Sequence, residues 1–218
     1  MSKKNAIVSQ RKIQRQVAKA EKRHPKEKAT EAMQAGARVY PVPPFPKQHQ
    51  FKSGSEASLK PAPLYEAPFY LGSRKLDDKV ALITGGDSGI GRAVAILFAR
   101  EGANIAIAYL NERQDAKITK QKVEAEGRKC ILIPGNVANQ RFCQQAVTRT
   151  IKELGKLDVL VNNAAFQVHA PRLEDLTTKH FDETLKTNLY GYFFMAQAAV
   201  KRMKPGCAII KTGLWTGG

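Results

Sequence analysis

The sequence predicts an α/β fold, a doubly wound parallel sheet incomplete at its C-terminal edge, on three observations. Short apolar runs at 80–83, 104–109, 129–134, 158–162 and 207–212 have the character of strands buried on both faces. Amphipathic stretches with helical spacing separate them, near 112–126, 139–154 and 178–203. A glycine turn joins the first strand to the first helix. Strand-then-helix alternation with buried strands calls for a parallel sheet covered by helices on both sides.

The elements follow in order. Residues 1–40 form a basic tail: of the net charge of +17 on 218 residues, +11 falls in residues 1–75, where 16 Lys/Arg stand against 5 Asp/Glu. A helix is expected over 5–24, with Ile13 and Val17 on one side, before Pro25 interrupts it. Three readings stay open for this tail. It is a solvated basic arm, partly helical or disordered; an organelle transit peptide, since no acid precedes Glu21; or a non-specific attachment to nucleic acid or anionic membrane. No recognition motif accompanies the charge, so no specific nucleic-acid partner is expected.

Residues 41–75 form a proline-rich arm. Proline removes backbone donors and favours extended chain, while Tyr65, Phe69 and Tyr70 suit a strap lying on a folded surface. A ligand for a proline-recognising domain is the alternative. Residues 76–218 hold the regular alternation. No apolar run approaches the length of a membrane span. Cys130, Cys143 and Cys207 are scattered and odd in number, so neither a disulfide framework nor a metal site is expected. A cytoplasmic location fits, with an organelle as the alternative if the basic tail is a targeting segment.

The run Thr84-Gly-Gly-Asp-Ser-Gly-Ile-Gly91 carries the chemistry. It lies between the apolar strand at 80–83 and a helix on which Ile90, Ala93, Val94, Leu97 and Phe98 recur at helical spacing. Of Gly85, Gly89 and Gly91, one permits a tight turn, another lets backbone approach a pyrophosphate, and the third lets helix pack on strand. Free N–H groups and the helix dipole attract the negative charge, so no side-chain cation is required. Thr84, Gly85, Ser88, Gly89, Ile90 and Gly91 are therefore candidate dinucleotide contacts. No Gly-Lys-Ser/Thr follows, which excludes a Walker-type phosphate loop. Asn162 and Asn163 directly follow an apolar strand, at the carboxyl end where open α/β sheets bind ligands, although Asn-Asn also suits a plain turn.

These motifs resemble the short-chain dehydrogenase/reductase family, in the group with a proline-containing N-terminal arm. The marks are Thr84 to Gly91, the segment Leu160-Val-Asn-Asn-Ala-Ala165, in which Ala165 replaces the family's usual glycine, and Asn188 in Lys186-Thr-Asn-Leu189. The resemblance implies a Rossmann-type fold and hydride transfer between NAD(P)H and a small alcohol or carbonyl substrate. It implies Asn162 and Ala164 as cofactor contacts and Asn188 as the catalytic residue that helps hold a proton-relay water. Asn136 and Val137 align with the family's adenine-contacting Asp-Val pair. The helix bearing Tyr190, Tyr192, Phe193, Phe194 and Met195 packs between subunits in the family, which implies a homo-oligomer in intact relatives.

NAD is held by a carboxylate at the end of the second strand, whereas an arginine suits the extra phosphate of NADP. Tyr109 occupies that position, and Arg92 and Arg113 lie close by, so the pattern leans to NADP. The family's serine is expected near Leu214, and its Tyr-x-x-x-Lys does not follow. The chain therefore resembles an oxidoreductase that lacks its catalytic Ser, Tyr and Lys. A truncated gene product and a non-catalytic nucleotide-binding or interaction protein are the alternatives.

Overall fold

The computed structural model describes residues 3–21, 41, 44–48, 55–68 and 70–213. Expectations for Phe69, for Leu214 and for residues 22–40 of the basic tail lie outside these. Five strands, β1 (Val80–Thr84), β2 (Asn104–Tyr109), β3 (Cys130–Pro134), β4 (Val159–Asn162) and β5 (Ala208–Lys211), form one sheet of order β3-β2-β1-β4-β5. Every pairing is parallel.

Strand alternation divides the core into two faces. Ala81, Ile83, Ile105, Ile107 and Val161 point to one side and meet Ala95 and Ala99 of α2 (Gly89–Arg100) and Ala116 and Val123 of α3 (Arg113–Ala125). Leu82, Ala106, Ala108 and Leu160 point to the other. They meet Cys143, Ala146 and Val147 of α4 (Gln140–Leu154), followed by Met195 and Ala199 further along the chain. With helices on both sides, nothing in β1 is left for solvent, so the strand is apolar without alternation. Burial pushes the Cys130 and Cys143 thiols up to about 12, so both act as core hydrophobes.

The helix ends are marked chemically. The Asn139 side chain accepts from Phe142 N at 3.2 Å to start α4, and Gly155, at φ 91°, ends it. The single helix expected over 178–203 is instead α5 (Thr178–Leu185), a π-helical turn over Lys186–Tyr190, and α6 (Gly191–Val200). The reason lies across the fold. Asn188 Oδ1 accepts from Phe166 N at 2.8 Å, and its Nδ2 donates to Phe166 O at 3.0 Å. The wider turn coincides with this asparagine's reach to the chain after β4.

Two segments outside the sheet layers also dock. In α1 (Lys3–Glu21), Ile13 and Val17 are buried against Phe166, with Val168 alongside, so this part of the tail is not solvated as expected. Residues 55–68 and 70–78 pack beside α2. Arg100 Nη1 donates to the Ala67 and Tyr70 carbonyls, and Glu101 accepts from Ser73 N, Lys75 N and the Tyr70 hydroxyl. That hydroxyl and the backbone donors hold the Glu101 carboxyl down at about 2. Among the described residues, no helix is long and apolar enough to cross a membrane.

Candidate functional site

Strand order reverses between β1 and β4, and a parallel sheet leaves a crevice at the carboxyl ends there. A cleft of about 420 Å³ occupies that crevice. Of the residues expected to bind, Gly85, Ser88, Ile90, Asn136, Val137 and Ala164 line it. Asn163, placed at that carboxyl end by the sequence, lines it too, and Asp87, Glu112, Phe166, Thr187 and Gln10 do so without having been singled out.

The glycine turn is shaped as backbone chemistry requires. Gly85 has φ +63°, and its N–H donates to Ala108 O at 2.7 Å, tying the end of β1 to β2. Gly91 faces inward: a β-carbon there would collide with the Gly85 carbonyl oxygen and lie 2.7 Å from Asn163 Nδ2. It is the glycine that lets helix pack on strand. Thr84 is buried below the cleft, where its Oγ1 accepts from Asn163 N at 2.9 Å and Ala164 N at 3.0 Å. It positions the β4 loop. Asn162 is likewise buried, its Nδ2 donating to Tyr192 O at 3.3 Å. Asn136 Oδ1 accepts from Ala138 N at 3.0 Å, which shapes the turn after β3.

Asn188 spends both side-chain atoms on Phe166, so it holds the cleft wall, while the neighbouring Thr187 lines the cleft itself. Arg113 is exposed at the start of α3 and does not line the cleft.

Arg92 is where sequence and structure part. Rather than facing an extra phosphate, its guanidinium is buried, ion-paired to Glu56 of the proline-rich arm and, at 3.3 Å, to Asp115. Its Nε donates to Thr119 Oγ1 at 2.9 Å and its Nη2 to Asp87 O at 2.7 Å, and Tyr65 covers it with its ring 4.9 Å away. Glu56 Oε1 also accepts from Gly89 N at 2.6 Å.

The end of β2 is more acidic than the sequence suggests. Tyr109 is nearly buried, but Asp87, from the glycine turn, and Glu112 line the cleft beside it. Burial pushes the Asp87 carboxyl up to about 6, with Asp115 and Glu112 adding repulsion. Asp87 was hidden within the glycine motif, and only its position beside β2 shows its relevance. Gln10 carries no sequence signal for a role here; the docking of α1 brings it to the cleft. Among the described residues, no group of three or more His, Cys, Asp or Glu could hold a metal ion.

A parallel sheet of this order with a glycine turn at its reversal defines a nucleotide-binding Rossmann-type fold. The family model described as Enoyl-(Acyl carrier protein) reductase matches residues 85–217. General stress protein 39 of Bacillus subtilis is 51% identical over 169 residues, covering 77% of this chain and 59% of that protein. The uncharacterized oxidoreductase YhdF of the same organism is 48% identical over 166 residues, covering 76% and 57%. A crystal structure of a short chain dehydrogenase from Burkholderia cenocepacia in complex with NADP superposes with a TM-score of 0.61 at 38% identity, over 64% of this chain and 56% of that one. The chain belongs to the short-chain dehydrogenase/reductase family of oxidoreductases. It spans less than two thirds of the length of these curated relatives.

Proposed function

We propose that these residues bind a nicotinamide dinucleotide, NADP or NAD, along the cleft at the sheet reversal. The carrying observation is the Gly85–Gly91 turn: Gly91 packs closely against Gly85, and Gly85, Asp87, Ser88 and Ile90 line a cleft with a volume in the range of small-molecule sites. The residues fit that group. Ser88 and Ile90 at the head of α2 meet the diphosphate, Asn136 and Val137 meet the adenine, and Asp87 with Glu112 faces the adenosine ribose. Ala164 and Thr187 line the opposite end, toward the nicotinamide. The relative solved with NADP supports NADP as the cofactor. The buried, paired Arg92 lends that choice nothing.

Bound dinucleotide supplies a hydride for exchange with a carbonyl or alcohol substrate, and that oxidoreductase chemistry is the proposed activity of the family's full-length form. For residues 1–218 the proposal is binding without turnover, because none of the six tyrosines has a lysine four positions on. Fluorescence titration with NADPH and NADH tests the first part: the chain binds at least one, and Gly91→Ala weakens that binding tenfold or more. No binding to either would overturn it. Incubation of the purified chain with NADPH and a panel of aldehydes and ketones tests the second, which fails if cofactor is consumed above background.

A further inference from the structure

Helix α2 begins at Ser88, a residue type that normally caps a helix with its own hydroxyl, yet Ser88 makes no side-chain capping bond. Its hydroxyl is turned toward Asp87 Oδ2, at 3.4 Å, on the cleft side. The helix's first amide takes its acceptor from the proline-rich arm. Glu56 is buried and accepts from Gly89 N, the first amide of the helix, while its other oxygen pairs with Arg92 one turn on.

Around that contact the arm and the turn are cross-tied. Glu56 N donates to Asp115 Oδ2 at 3.1 Å, and Asp115 pairs with Arg92. Arg92 and Thr119 both donate to the Asp87 carbonyl, at 2.7 and 2.9 Å. The glycine turn is thus held at its Asp87 carbonyl and its Gly89 amide, and neither tie enters the cleft. Ser88 and Ile90, the residues on either side of Gly89, both line the cleft.

We infer that Glu56 is a positioning residue for the dinucleotide diphosphate: by holding Gly89 N and Arg92 from the arm it fixes the turn that presents Ser88 and Ile90 to the ligand. The inference rests on the dinucleotide reading above. Removing the carboxylate leaves Gly89 N–H without its acceptor and Arg92 without one of its two carboxylates, so the turn that carries Ser88 and Ile90 is no longer fixed at the cleft. The diphosphate then loses a contact that adenosine never makes.

The test uses the full 218-residue chain with NADPH, ADP and adenosine as titrants. Glu56→Ala weakens NADPH and ADP by about tenfold and leaves adenosine within twofold; a defect in folding alone would weaken all three together. Glu56→Gln, near-isosteric and still able to accept from Gly89 N, restores most of the affinity and serves if the alanine variant does not fold. Unchanged NADPH affinity in Glu56→Ala, or an equal loss for adenosine, would each overturn the inference. If the wild-type chain binds neither NADPH nor ADP, the dinucleotide reading itself has failed; if it binds them and Glu56→Ala binds equally, only this inference has.

Discussion

Asp87 places a titrating charge in the cleft beside the end of β2. Its carboxyl is raised by burial to about 6, above the ordinary value of 3.8, so the folded chain binds this proton more tightly than the unfolded chain does. The associated stability is fully present below pH 3.8 and is lost as pH rises through about 6. Asp87→Asn removes that loss: its melting temperature exceeds wild type at pH 8 and matches it near pH 3.5, which thermal melts at the two pH values check. The same carboxylate repels a ribose phosphate, so Asp87→Asn gains more affinity for NADPH than for NADH at pH 8, read from paired titrations. At Gly91 the obstacle is volume. Forcing a methyl against the Gly85 carbonyl costs about 1–3 kcal/mol of stability as well as the geometry of the turn. Denaturant unfolding of Gly91→Ala reads the first and cofactor titration the second.

At the scale of elements, the arm and α1 are attached by different chemistry, and each attachment has its own test. The arm is fixed by polar contacts on Glu101, whose carboxyl is held at about 2. An acid depressed in this way contributes stability that is present above its usual value of 4.5 and lost as pH falls through about 2. Glu101→Gln therefore lowers the melting temperature at pH 7, with the difference shrinking toward pH 2, and opens residues 55–75 to limited proteolysis. Helix α1 is held by apolar burial. Ile13 is fully buried against Phe166, and Ile13→Asp forfeits about 1.5–3 kcal/mol of that burial and exposes the helix to protease. Much of this layer was legible in the chain. Five strands follow from apolar runs, and α4 from Asn139, its periodic apolar face and Gly155, because each signal is local. The break at Lys186–Tyr190 was not, because its cause is an asparagine reaching a backbone segment 22 positions away.

Across the whole molecule, apolar surface remains at one edge. Leu189, Phe193, Val200, Ile209 and Ile210 are exposed on the π-turn, α6 and β5, and among the described residues β5 pairs with β4 alone. A strand edge beside exposed aromatic and aliphatic side chains favours pairing with another copy. The chain is expected to self-associate as concentration rises, and Phe193→Glu to shift it toward monomer, as sedimentation velocity would show. A wild-type monomer at all concentrations would overturn this expectation.

The sequence by itself determined the sheet, its parallel sense and the place of the glycine turn. Strand period, helix period and the steric freedom of Gly85 are properties of neighbouring residues. It also carried the cleft residues that lie inside motifs, Ser88, Ile90, Asn136 and Ala164. Tertiary structure alone decided how the ionic groups were used. Arg92 looked available to a phosphate but is held by Glu56 and Asp115, Asp87 became the acid beside β2 although it is not in that strand, and α1 brought Gln10 to the cleft. Charge and burial depend on what the folded chain places within a few ångströms, and those partners come from distant parts of the sequence.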